Sequence, residues 1–445
     1  MMGTSTLTTL PLPDQLAQRD SERLRRYREN LDFYQGQQWT ELRRRRERRL
    51  TFNYARAVIE KAASYTMAGT SFVVDPEDAT TEAAERARRT EQAIREISEA
   101  NALDQLDFDN EVDCSVLGDA AYRVTWDETE GRVRITAPDV QGLFVWPYAG
   151  DHTRYWKVAS RYRLSHEEAE ATLDLALTGT RAGNGEHTVV ECWTDDRLEV
   201  WVDNGLVQES ANPYGFIPFV IYPNVREPKR FWGVSDLEQL KEPLHELNRT
   251  MTQLSTILEL SGNPIAVLEN VTEAQDIAVQ PGAVWEIPER ARAYLLDLLQ
   301  GGGVSLHVDY ANLLLRTLHD LAEVPRSAFG ESKQLSGVAL QLELDPLLKK
   351  VQRKRLIRGA AFRRRNEMAL RILEQYTGES FAPYRTRAVW PPVLPEDRSR
   401  MVSDETKLVA AGIHSRRTAA GLLDVADPDA EWQRWQDENE VAGSK

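Results

Sequence analysis

Much of what would mark an enzyme or a membrane protein is missing from this 445-residue chain. No stretch approaches the ~18 consecutive apolar residues of a membrane-spanning helix, which excludes a helical membrane channel. Cysteine occurs only at Cys114 and Cys192, with no Cys or His at metal-ligand spacing. Both are expected to be buried thiols, and neither zinc nor a disulfide framework is predicted. No Gly-Lys pair exists, so the phosphate-cradling G-x-x-x-x-G-K-[ST] loop of a translocating ATPase is absent. Gly301–Gly303 lacks both the lysine and a preceding buried strand and reads as an elbow. The seven histidines show neither H-E-x-x-H nor Ser-His-Asp spacing. The opening MMGTSTLTTLPLPDQ has no basic leader and no long apolar segment, so secretion is not expected. Positive charge is in deficit too. A formal charge of -15 argues against a simple electrostatic grip on DNA.

Asp109, Glu111, Asp113 and Asp119 lie close together, as the magnesium-binding carboxylates of a nuclease would. With 70 Asp and Glu in the chain, such clusters arise without function, and a solvated helix face is the simpler expectation. No catalytic residue, metal or cofactor is therefore predicted.

What is present is an ordinary globular composition, 41% hydrophobic and 28% charged, in a chain long enough for more than one packed region. The Thr- and Pro-rich start reads as a flexible arm. Helical pattern follows from Ser21 to about Gly69, interrupted by the arginine run Arg43–Arg49. The short apolar strand SFVVD at 71–75 precedes a charged helix over 80–100. From Asn110 to Tyr222 the texture turns to β, in runs such as AAYRVTW, RVRITA, HTVVECW and LEVWVDNGLV, with Asn204-Gly205 as a hairpin signal. The expected fold class is α+β.

Helix returns at Gly233. Leu237, Leu240, Leu244, Leu247, Met251, Leu254 and Leu258 alternate by three and four residues, a heptad seam. Pro243 inside it predicts a kink or a fresh start near 241–243. Residues 262–303 form a compact insertion with strand-like IAVLENV and AVWEIPE and a short helix over 291–300. A return helix follows, carrying Leu314, Leu318 and Leu321 on one face. PRSAFGESKQLSG at 325–337 breaks the helix, and Asp345-Pro346 reads as the cap and first residue of a long helix ending near Tyr376. Residues 398–445 read as two or three short helices.

This order, together with FYQGQQW at 33–39, FNYARAVIEKAASYTMAGTSF at 52–72, FWGVSDLEQLKEPLHELNRTMTQ at 231–253 and VPRSAFGESKQLSGVALQLELDPLL at 324–348, resembles the portal proteins of tailed bacteriophages, of the siphophage type. The resemblance implies an N-terminal arm (1–24), a wing (25–232), a first stem helix (233–261) and a clip (262–303). A second stem helix (304–323), a tunnel loop (324–337), a long spine helix with linker (338–397) and a short crown (398–445) would follow. It implies a dodecameric ring at one capsid vertex, assembled in the host cytoplasm, through which double-stranded DNA is packaged, retained and ejected. The partners implied are the terminase large subunit, a head-completion or adaptor protein, and the major capsid and scaffolding proteins. Arg326, Ser327, Glu331, Ser332, Lys333 and Gln334 would form the loop facing the DNA, with Arg326 and Lys333 as its cations. The heptad leucines would pack the stem.

Twelve helices spaced ~10 Å apart make a circle ~38 Å across, and subtracting helix radii of ~5 Å leaves ~28 Å for a duplex. From Val234 to Glu323 there are 14 acidic and 5 basic residues, a net of -9, suited to letting DNA slide. Two basic stretches stand apart. Arg43, Arg44, Arg45 and Arg46 belong to one; Arg353, Lys354, Arg355, Arg358, Arg363, Arg364 and Arg365 form the other. Each is expected either to make intersubunit salt bridges on a solvated face or to touch DNA phosphates. The rival reading is a nucleic-acid-binding enzyme or adaptor that uses the helix at 351–365 as its binding surface.

Overall fold

The computed structural model describes residues 11–39, 49–173, 185–262, 265–269, 292–296, 303–330, 337–393, 398–423, 425 and 431–436. The chain divides into two compact units, residues 1–389 and 390–445. Its mixture of helix and sheet is α+β, as the sequence predicts.

The first unit opens with helix α1 (Leu12–Gln18) and α2 (Ser21–Tyr34). The arm is thus structured from Leu12 onward, contrary to the flexible start expected. Leu12 and Leu16 are buried with Phe144, Ala159, Val190 and Cys192, and this apolar contact orders a segment whose composition suggests disorder. Next come α3 (Tyr54–Thr66), strand β1 (Ser71–Val73), α4 (Thr81–Ala100) and α5 (Leu103–Leu117). The Asn53 and Thr80 side chains cap α3 and α4, accepting from the backbone amides of Arg56 and Ala83 at 3.2 Å each.

Two antiparallel sheets follow. β2 (Asp119–Asp127), β3 (Arg132–Thr136) and β9 (Phe219–Pro223) form one in the order β3-β2-β9. The other runs β4 (Leu143–Tyr148), β5 (Asp151–Ser165), β6 (Glu186–Trp193), β7 (Arg197–Val202) and β8 (Gly205–Ala211), with α6 (His166–Leu173) between β5 and β6. The β7–β8 turn falls on Asp203-Asn204, because Val202 pairs with Gly205. The Asp203 carboxylate accepts from the Thr188 amide at 3.0 Å and faces His187 Nδ1 at 2.9 Å, holding the turn one residue earlier than the Asn-Gly signal suggests.

Helix α7 (Lys241–Gly262) starts at the predicted break before Pro243, which corrects the helix expected from Gly233, since residues 233–240 are turn and coil. β10 (Ile265–Glu269) pairs antiparallel with β11 (Arg292–Leu296). The latter corrects the short helix expected over 291–300: RAYLL takes its conformation from its partner strand. The predicted strand AVWEIPE lies outside the described residues. Helix α8 (Gly303–Ala322) returns the chain, and α9 (Gly337–Thr377) runs 41 residues with Pro346 inside it. The cap expected at Asp345 is absent; its carboxylate pairs with Lys349 at 3.0 Å, one turn ahead. Helix-favouring residues in VALQLEL start the helix earlier, and the Leu342 carbonyl freed by the proline lies on the exposed side. β12 (Arg387–Val389) closes the unit by pairing with β1.

In the second unit, α10 (Arg398–Ala410) and α11 (Arg416–Leu422) are joined by a turn in which His414 Nδ1 meets Glu405 Oε2 at 2.8 Å. Residues 431–436 are helical, Trp432 stacks on Trp435, and Arg416 lies over the Trp435 ring.

Candidate functional site

The leucine seam divides along its length. Leu237, Leu240, Leu244 and Leu247 are buried, Leu254 nearly so, whereas Leu258 is 51% exposed. On the antiparallel partner α8, Leu318 is buried and Leu314 half-buried, but Leu321 is exposed, as are Leu306 and Leu313. Only part of each apolar face is therefore covered by the chain itself.

Polar side chains fix the buried end of α7. Asn248 accepts from the Phe52 amide at 2.8 Å and donates to Gln38 Oε1; Thr252 Oγ1 accepts from the Leu50 amide at 3.1 Å. Trp39 packs on His245. The residues of FYQGQQW and FNYARA thus clamp this helix.

After α8, Glu323 takes a positive φ and Val324 is buried. Arg326–Phe329 form one turn of 3₁₀ helix, with Arg326 exposed and Ser327 buried. Phe329 sits under Lys61 and beside His319. Glu331, Ser332, Lys333 and Gln334 lie outside the described residues, as do Arg43, Arg44, Arg45 and Arg46.

The basic helix departs furthest from expectation. Arg358 is fully buried: its Nε and one terminal nitrogen donate to Glu111 at 2.7 and 3.1 Å, and its terminal nitrogens donate to the Asn224 carbonyl and side-chain oxygens, each at 2.8 Å. Lys354 reaches Ser115 Oγ at 2.7 Å, Asp236 at 2.8 Å and Glu111 at 3.1 Å. Lys350 bonds Asp236 at 3.2 Å and the Ala322 carbonyl at 2.9 Å. Arg365, also buried, pairs with Asp107, which accepts from the Tyr122 hydroxyl at 2.8 Å. Arg355 donates to the Tyr65 and Thr66 carbonyls at the end of α3. Arg353 pairs with Glu323, Arg364 lies over Tyr155, and Arg363 is exposed.

Lys354, Arg358 and Arg365 are therefore internal to the subunit. This corrects their expected roles toward DNA or a neighbouring subunit, and it takes three of the seven cations from the surface on which the enzyme or adaptor reading depended. They lie on the same helical stripe as Leu347, Val351, Ala361, Phe362, Met368 and Ile372, all buried. A cation in register with a 3.6-residue apolar stripe is the signal that sequence reading passed over.

Of the carboxylates considered for a metal, Glu111 and Asp119 are held by other partners inside the subunit, while Asp109 and Asp113 lie on an exposed face. Glu111 is fully buried, which corrects the solvated helix face expected for it. Burial pushes its carboxyl up, but the Arg358 and Lys354 charges outweigh this and hold it below the ordinary range. Asp119 accepts from the Tyr27 hydroxyl at 2.6 Å and the Gly233 amide at 2.8 Å; burial pushes its pKa up to about 7, against those bonds and the Arg23 and Arg26 charges. Asp109 accepts from Gln105. Among the described residues no three His, Cys, Asp or Glu gather as a metal site. Gly118, at φ +108, precedes Asp119, and a Cβ there would stand 2.9 Å from the Ser235 amide. The lead-in to α7 is thus pressed onto the end of α5.

These contacts can hold helices in register and carry load between them. A family model described as phage portal protein, SPP1 Gp6-like, matches residues 14–445. No curated protein matches the chain.

Proposed function

The chain belongs to the SPP1 Gp6-like family of phage portal proteins, and from that premise we propose how its own elements divide the work of a DNA-conducting ring. A portal protein forms the ring-shaped channel at a capsid vertex for packaging, retention and ejection of double-stranded DNA, and the family is structural. Portal, virion and DNA-packaging roles hold for this chain as a member; twelve subunits and terminase binding are typical of the family. No helix among the described residues is long and apolar enough to cross a membrane.

In our reading, residues 25–232 are the wing, α7 and α8 the stem, 262–303 the clip between them, 324–337 the tunnel loop, α9 the spine and 398–445 the crown. Arg326 and Lys333 would meet passing DNA. The observation that carries this division is the exposure of Leu258, Leu306, Leu313 and Leu321 on two helices that pack on each other. A monomer in water gains nothing from so many exposed leucines, whereas neighbouring copies around an axis would cover them. The -9 balance of residues 234–323 suits a conduit that must not hold the phosphate backbone. Terminase, adaptor, major capsid and scaffolding proteins would dock on this ring, which would assemble in the host cytoplasm.

Negative-stain imaging of the purified full chain tests the reading. Rings of several hundred kilodaltons with a central hole are expected. A monomer at all concentrations, or assemblies without a hole, would overturn it.

A further inference from the structure

A cleft of about 480 Å³ opens on the five-stranded sheet, lined by Asp139, Gln141, Gly142, Arg161, Arg163 and Thr188. Alternation along β5 puts Ala159, Arg161 and Arg163 on one face. Ala159 lies in the cluster with Leu12 and Leu16 of α1, next to Phe144. Arg161 and Arg163 are the following residues on that face and line the cleft. The turn at 139–142 lies directly against β5, since a side chain on Gly142 would collide with the Arg161 carbonyl.

The charges in this cleft are not balanced. Arg161 is half-buried, its guanidinium carbon 4.9 Å from the centre of the Phe144 ring. It has no hydrogen-bond or ion-pair acceptor among the described residues. Burial, and then Arg163 and Arg23, all push its pKa down. Arg163 stands 3.7 Å from Glu186 in a solvent-exposed pair, which binds it weakly. Asp139, the acid lining the cleft, already accepts from the Gln141 backbone amide at 2.9 Å and side-chain amide at 3.2 Å. Two guanidinium groups lining one cleft, the nearer without an acceptor of its own, offer the planar forks of donors that match phosphate oxygens.

We propose that this cleft binds a phosphate group, with Arg161 as the bidentate anchor, Arg163 as the second charge and Thr188 as a hydroxyl donor. The phosphate comes either from a small molecule in solution or from a nucleic-acid backbone. The site is independent of the channel assignment above, because none of its residues belongs to α7, α8 or α9.

Calorimetric titration of the full chain with inorganic phosphate, and separately with a short DNA duplex, tests this. Saturable binding is expected in at least one arm, weakened about tenfold or more by Arg161→Gln and less by Arg163→Gln. Loss confined to the phosphate arm identifies a solution anion; loss in the duplex arm identifies the backbone as the source. If neither titrant binds, or if Arg161→Gln retains its fold and binds both as the parent does, the proposal is wrong. Should Arg161→Gln fail to fold, the exposed Arg163→Gln decides by the same criterion: unchanged affinity in both arms overturns the proposal.

Discussion

Helix α9 and the α7–α8 pair reverse the usual placement of residue types. Along α9, Lys354, Arg358 and Arg365 are buried, while Leu342 and Leu356 stand more than 70% exposed. Along α7 and α8, Leu244, Leu247 and Leu318 are buried, whereas Leu258, Leu306, Leu313 and Leu321 face out. The first region uses charge as internal cement, with each cation answered by Glu111, Asp236 or Asp107. The second leaves apolar surface without a cover from its own chain. The comparison separates what makes the subunit rigid from what makes it associate.

The largest effect on the fold should come from breaking the cement. Arg358→Met takes the bidentate partner from Glu111, leaves Lys354 as the one cation still bonded to that buried carboxylate, and should destabilise the subunit by about 3–5 kcal/mol, read as a shift in urea unfolding. Adding Glu111→Leu should restore much of that loss, since an apolar pair replaces a buried ion pair at little net change. If the double variant is no better than the single, the network is more than a matched charge pair.

Asn248→Ala removes the acceptor of the part-buried Phe52 amide and the donor to buried Gln38, and should cost about 1–3 kcal/mol, measured in the same way. It asks whether the clamp on α7 matters as much as the cement on α9.

Asp119 sharpens the comparison through pH. Its folded pKa, about 7, lies above the ordinary aspartate value, so the folded state binds the extra proton between roughly pH 4 and 7. Its contribution is therefore most favourable below pH 4 and declines as pH rises through about 7. Asp119→Asn should flatten that part of the stability-versus-pH curve. An unchanged slope would show that the carboxyl stays ionised at the Tyr27 and Gly233 contacts.

The smallest effect on the fold belongs to the outward leucines. Leu313→Ser should change subunit stability by less than about 0.5 kcal/mol, yet reduce the ring fraction in analytical sedimentation. A variant that assembles as well as the parent would break the comparison at its other end.

Some of these features could be read directly from the chain. The three-and-four alternation from Leu237 to Leu258 announces α7, Pro243 its start, and the β-rich texture of 110–222 both sheets, although its first residues, 110–117, belong to α5. Periodicity and proline chemistry act within a few residues, so they survive without tertiary context. Others could not. β11 is a strand because β10 lies beside it, and α1 is ordered because Phe144 and Val190 cover it.

The basic run at 351–365 marks the boundary most clearly. The sequence by itself determined that a long helix carries seven positive charges and no acid there, because helix propensity and charge are properties of the residues. Which of those charges face inward was decided only by the tertiary structure. Glu111 and Asp107 on α5 and Asp236 before α7 are more than a hundred residues away along the chain, and desolvating a cation is tolerable only where folding has placed its counter-charge.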